Sequence, residues 1–206
     1  MAWTAPKTWV TSEVVTAAQM NAHVRDNMLE TSTATATTAG DLVYADGNKS
    51  MGSRLAIGAG GTFMASTGTA PVWRVPATDV DTVSGTTTSG TYQPLSVFAG
   101  GGFATEIEVT CTTGTTALVL WKGKLSNSTA GELTLMSYAV SGATTVAAAD
   151  IHCILYESGA ANDGAMFAGF DLRTGLTAGS NTFTLTGRVS NGIGTIAYPE
   201  ICVIPY

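Results

Sequence analysis

Apolar residues recur along this chain at two spacings. Between residues 16 and 30, Ala17, Met20, Val24 and Met28 fall three or four apart, while His23, Arg25, Asp26, Asn27 and Glu30 lie mostly off that line. This is the period of an amphipathic α-helix with one narrow apolar stripe. Thr16 followed three residues later by Gln19 fits a capping box, which fixes where the helix starts, and Val15 and Met20 stand at the two positions of a hydrophobic staple. From Thr91 onward the spacing becomes two. Phe103, Ile107, Val109 and Cys111 alternate with Thr105, Glu106, Glu108 and Thr110, and Phe183, Leu185 and Val189 alternate with Thr182, Thr184, Thr186 and Arg188. Such alternation predicts strands with one buried and one wet face. Eight are expected, at 91–98, 103–111, 116–125, 132–140, 150–157, 165–173, 181–189 and 199–206, with turn residues between nearly all of them. The chain is therefore expected to be mainly β, ending in an eight-stranded antiparallel β-sandwich of jelly-roll type.

The remainder is slighter. Residues 1–40 read as an N-terminal arm, the helix and a Thr/Ala/Ser linker, and 41–75 as a small β region with short strands at 41–45, 53–57, 62–65 and 71–75. The Pro/Thr/Ser stretch 76–90 reads as a linker to the head at 91–206, which is expected to fold without the rest. At about 22 Å the helix is too short to be dependable alone in water. Its stripe suits a seam between copies, and the expectation is a homotrimer with Met20, Val24 and Met28 near the threefold axis. Trp3 and Trp9, on an arm with no core of its own, are expected to anchor in a partner.

Composition narrows the function. Hydrophobic residues make up 45% and charged residues 12% of the 206, and the net charge of −6 with only nine Lys and Arg argues against nucleic acid as a partner. So sparse a charge suggests surface buried in an assembly. No leader and no uninterrupted apolar segment of bilayer-spanning length are visible, so assembly in a cytosol without membrane insertion is expected. Cys111, Cys153 and Cys202 are odd in number and far apart, which predicts three reduced thiols in strands rather than a zinc site or disulfide framework. His23 and His152 are the only histidines, and no Gly-x-Ser-x-Gly elbow or phosphate loop accompanies them. Asp79 with Asp81, and Asn162 with Asp163, are too few oxygens for a calcium site. Asn127-Ser128-Thr129 and Asn48-Lys49-Ser50 match a glycosylation pattern but read as turns. The expectation is a protein that is not an enzyme and uses no cofactor or metal. Tyr156, Asn162 and Asp163, in or beside a loop at 157–164, offer the aromatic and polar groups that a host-surface contact would need.

The run Thr8-Trp9-Val10-Thr11-Ser12-Glu13-Val14-Val15-Thr16-Ala17-Ala18-Gln19-Met20-Asn21, continuing into His23-Val24-Arg25-Asp26-Asn27, resembles the opening of tail-fibre and related virion proteins of tailed bacteriophages. Gly40-Asp41-Leu42-Val43-Tyr44-Ala45, Arg54-Leu55-Ala56-Ile57-Gly58 and Pro71-Val72-Trp73 look like the strand region that follows in them. Distal runs such as Met136-Ser137-Tyr138-Ala139-Val140-Ser141-Gly142 are similar to their β-sandwich heads. The resemblance implies a homotrimer in the virion, with an N-terminal part held by other tail, baseplate or capsid proteins and a head that contacts a host glycan or protein. A capsid decoration or cement protein, or another virion adaptor, is the alternative it leaves open.

Overall fold

The computed structural model describes residues 7–29, 36–45, 53–100 and 102–206. The chain divides into two units, Met1–Trp73 and Arg74–Tyr206. Trp3 and Glu30 lie outside the described residues.

In the first unit the helix begins where the capping box puts it. The Gln19 N–H donates to Thr16 Oγ1 at 3.3 Å and the Thr16 N–H to Gln19 Oε1 at 2.9 Å. Two α-helical turns, α1 (Ala17–Met20) and α2 (Asp26–Leu29), are joined by a π-helical turn at Asn21–Arg25. A π turn takes more residues than the 3.6 of an α turn, so residues spaced by four drift less from one line. Met20, Val24 and Met28 are that series, and they are 45%, 38% and 64% exposed. Farther on, β1 (Leu42–Tyr44) pairs with β2 (Ser53–Leu55), and β3 (Phe63–Ser66) with β4 (Pro71–Arg74). β1, β2 and β4 are shorter than the expected strands, and β3 is shifted by one residue. Asp41 ties this region together by accepting from the backbone N–H groups of Thr37, Thr38 and Ile57 and from Arg54 at 3.2 Å. Burial alone raises its pKa, but those donors together hold the carboxyl below its ordinary value. Trp73 Nε1 donates to Ala56 O at 2.6 Å, and its ring sits where a Cβ on Gly58 would fall, 2.6 Å away.

The second unit is the sandwich. Its strands are β5 (Ala77–Val80), β6 (Ser84–Thr87), β7 (Gln93–Pro94), β8 (Glu108–Thr113), β9 (Thr116–Asn127), β10 (Leu133–Gly142), β11 (Ile154–Glu157), β12 (Gly164–Thr174), β13 (Gly179–Val189) and β14 (Gly194–Pro205). One sheet runs β12, β9, β14, and then β5 and β6, which share the free side of β14 end to end. The other runs β11, β10, β13, and then β8 and β7, which share β13 in the same way. Every pairing is antiparallel. Eight strand positions in two sheets of four, with chain-order neighbours alternating between sheets at the start and end, is the strand order of a jelly roll.

Two expectations need correcting. Ten strands fill the eight positions, because the first two positions are each broken in two. Residues 76–90 are not a linker, since β5 and β6 form one edge position of a sheet. Their low apolar content reflects that edge, where Ala77 alone of β5 packs against the core. Gly85 admits Phe98 and Phe103 so closely that a Cβ there would lie 2.7 and 2.8 Å from them. Likewise 91–98 holds only the two-residue β7 followed by a 3-10 turn at Leu95–Val97, and 103–107 contributes buried Phe103 and Ile107 ahead of β8, with Ile107 O accepting from the Leu185 N–H at 2.9 Å.

The core lies between the sheets and includes Trp121, Leu125, Tyr138, Phe183, Leu185, Ile196 and Ile201, all at most 4% exposed. Trp121 and Tyr138 meet edge to face at 5.2 Å. Gly169 on β12 lets Trp121 in: a Cβ there would lie 2.8 Å from both the indole ring and Ile154. Gly169→Ala should therefore destabilise the head by about 1–3 kcal/mol through overpacking, seen as a lower melting temperature. An unchanged melt would mean that the indole has room to move.

Candidate functional site

At one end of the sandwich four connections converge: 88–92, 128–132, 158–163 and 190–193. They are bonded to one another through Gly131 N–H to Ser158 O, Ser128 N–H to Ile193 O, Asn162 N–H to Asn127 O and Val189 N–H to Ser89 O. The chain enters the head at the other end, where Ala77 stands opposite Val203. Tyr156 and Asp163 come together here, with the Tyr156 hydroxyl donating to Asp163 Oδ2 at 2.7 Å. That bond, with some burial, raises the Tyr156 pKa. Asp163 Oδ1 accepts from the Gly164 N–H at 2.9 Å, and Tyr156 packs on Phe167 at 5.4 Å. Asn162 shares the loop but has a different part in it: at φ 62° it takes the left-handed conformation that Asn tolerates in turns. Asn127, the first of the glycosylation-pattern asparagines, is 1% exposed and donates through Nδ2 to Asn191 O at 3.0 Å, so it is a turn-holding residue. Asn48 lies outside the described residues.

Of the attachment residues, Trp9 is 39% exposed, its ring edge-to-face with His23 at 6.4 Å and the Lys7 ammonium 5.0 Å from its centroid. His152 is partly exposed, its Nδ1 3.2 Å from Asp171 Oδ2. Asp171 also accepts from the Tyr138 hydroxyl, and Arg173 Nε donates to Tyr138 Oη at 3.0 Å. Burial first, and then the bond to Asp171, push the Tyr138 pKa upward. This cluster lies where inward positions of edge strand β12 are polar and joins the two sheets there. The three cysteines are free and half-buried, not fully in the core, and burial raises the pKa of each. Among the described residues no group of three or more His, Cys, Asp and Glu could hold a metal ion, and no helix is long and apolar enough to cross a membrane.

Two features escaped the sequence. The first is the outer face of β12, β9 and β14. On β12, Met166, Phe170 and Leu172 are 54%, 79% and 57% exposed. Register places Phe170 beside Leu120 and Cys202, and Leu172 beside Leu118 and Ile204. The Lys122 and Glu200 charges within this face pair at 2.5 Å. On the other sheet the outer positions of β8 and β13 are polar, lined by Thr110, Thr182, Thr184, Thr186 and Arg188, with Thr110 and Thr182 hydroxyls bonded at 2.7 Å, whereas β10 and β11 place Leu135 and Leu155 beside them. The second feature lies on this polar face. Asp150 Oδ1 accepts from the Tyr92 hydroxyl and from Arg188 Nε, both at 3.0 Å, and Oδ2 accepts from Arg188 Nη2 at 2.5 Å. The bond to Arg188 holds the Asp150 carboxyl below its ordinary pKa, and burial raises that of Tyr92.

No protein-family model matches the chain, and no curated protein does. Solved structures similar to it include an Eiger TNF from S. frugiperda, 12% identical over 64% of this chain and 91% of that one, with a TM-score of 0.44. Another is that of infectious bursal disease virus, Gx strain, 11% identical over 65% of this chain and 34% of that one, at 0.43. The globular domain of zebrafish complement 1qA protein is 11% identical over 63% of this chain and 95% of its own, at 0.38.

Proposed function

We propose that this protein is a homotrimeric structural protein of a tailed-bacteriophage virion, a tail fibre or spike. Its N-terminal arm and helix are held by the particle, and the far end of its head meets the host surface. The observation that carries the self-association is the apolar outer face of β12, β9 and β14. Phe170, Leu172, Met166 and Leu120 are all more than a third exposed there, as is Val80 on the neighbouring β5. Monomers seldom expose a contiguous apolar patch beyond roughly 300–600 Å², whereas a stable interface covers about 800 Å² per partner. A face on which Lys122 and Glu200 pair with each other, with Lys124 beside Met166 toward one end, suits a second copy of the same largely apolar surface. The exposed Met20 and Val24 on the helix ask for the same partner. Attachment by the arm and host contact by the head follow the resemblance of residues 8–27 to virion proteins.

The particle tests the placement. Trp3→Ala with Trp9→Ala should give particles lacking the protein, whereas Asn162→Ala with Asp163→Ala should leave incorporation normal and at most weaken adsorption to cells. Normal incorporation of the double Trp variant would remove the arm as the anchor. Electron microscopy of the particle should place the protein on the tail; density on the capsid surface would make it a decoration protein instead.

A further inference from the structure

The polar outer face of the head carries a built cleft. The single Ser137 O–H is shared between His152 O at 2.9 Å and Ala149 O at 3.2 Å, which pins the segment before β11 across the outer face of β10. Between that segment and the 90–94 connection lies a cleft of about 620 Å³, within the size range of small-ligand sites. Ala139 and Thr186 form its floor, and Pro94 and Ala147 its apolar walls. Tyr92, Asp150 and Arg188 form the polar side, fixed by three hydrogen bonds and by the Arg188 guanidinium 5.4 Å from the Tyr92 ring centroid. One group is out of balance. Thr186 lines this cleft and is 4% exposed; its hydroxyl is enclosed beneath the surface and, among the described residues, has no hydrogen-bond partner, which costs stability.

We propose that this cleft binds a neutral hexose unit of a surface saccharide. Arg188 and Asp150 cancel each other's charge, so the site offers no net attraction to an acidic sugar. The Asp150 side chain is nevertheless 59% exposed and the Arg188 side chain 21%. An acceptor and a donor thus stand side by side, at the spacing that a vicinal diol matches. The alanine and proline walls suit the C–H face of a pyranose ring. The cleft opens on the sheet opposite the apolar face, so self-association through that face leaves it open. The saccharide's origin on a host surface rests on the function proposed above; the binding itself does not.

The test uses the full chain and a panel of glucose, galactose and mannose oligosaccharides beside sialylated and sulfated ones, read by saturation-transfer NMR and by titration. Binding of at least one neutral oligosaccharide is expected, and Asp150→Asn or Arg188→Ala should weaken it tenfold or more. Thr186→Val is the packing control: it should raise the melting temperature by removing the unpaired hydroxyl and leave sugar binding unchanged, because that hydroxyl is enclosed. Saccharide binding left unchanged by Asp150→Asn and Arg188→Ala, preference for the acidic glycans, or no binding of any neutral member at millimolar concentration would each overturn the site. Light scattering on the same samples reports self-association independently, so loss of one reading does not carry the other.

Discussion

Phe170→Asp combined with Leu172→Asp should turn an oligomer into a monomer while leaving the fold intact. Both side chains point away from the sandwich and neither belongs to the buried cluster. Removing two such groups from an interface forfeits about 1.5–3 kcal/mol each, and the added carboxylates must also be desolvated against apolar neighbours. The dissociation constant should rise by roughly 10² to 10⁴-fold. Light scattering at micromolar concentration should give three times the chain mass for the native protein and one chain mass for the variant, with circular dichroism unchanged. Met20→Asp with Val24→Asp should loosen the same trimer through the helix. A native protein that is already monomeric under these conditions would sink the proposal at once. A Phe170 and Leu172 variant that stays trimeric would move the interface elsewhere.

What the sequence disclosed and what it hid follow from how far apart the cooperating residues stand. The capping box of Thr16 and Gln19 is a three-residue relation and was legible. So was β13, whose Phe183, Leu185 and Val189 face inward against outward Thr182, Thr184 and Thr186. Tyr156 and Asp163 are seven residues apart, around one loop, and they do bond. The Tyr92, Asp150, Arg188 and Thr186 site draws on the 88–92 connection, the segment before β11, and β13. No local spacing could announce it. β12 misleads in another way, because its alternation is inverted. Gly169, Asp171 and Arg173 point toward the sandwich edge while Met166, Phe170 and Leu172 point out. Period alone shows that two faces differ, and only the pairing with Leu118 and Leu120 shows that the apolar one is left uncovered by its own chain. Gly85 is the sharpest case. Read along the chain it belongs to a linker, whereas in the fold its missing side chain is what lets Phe98 and Phe103 close the core.

That glycine lies in the stretch whose removal should have the second large effect. A fragment of residues 74–206 should melt cooperatively on its own, and a fragment of 91–206 should not. The longer fragment keeps β5 and β6, which pair with β14 over Ala77–Val80 against Glu200–Val203 and over Ser84–Thr87 against Gly194–Ala197. The shorter one strips a whole edge position from the sheet. It bares the backbone of β14, whose Ile196, Ile201 and Val203 are fully buried, and it uncovers Phe98 and Phe103 where Gly85 had packed. An unpaired edge of that length, flanked by newly exposed apolar side chains, is a template for aggregation. The 91–206 fragment is expected to be insoluble or to lack a cooperative transition, judged by differential scanning calorimetry beside the 74–206 fragment. Equal melts for the two would mean that β14 can serve as the edge of a three-stranded sheet, and that β5 and β6 merely lie against a core complete without them.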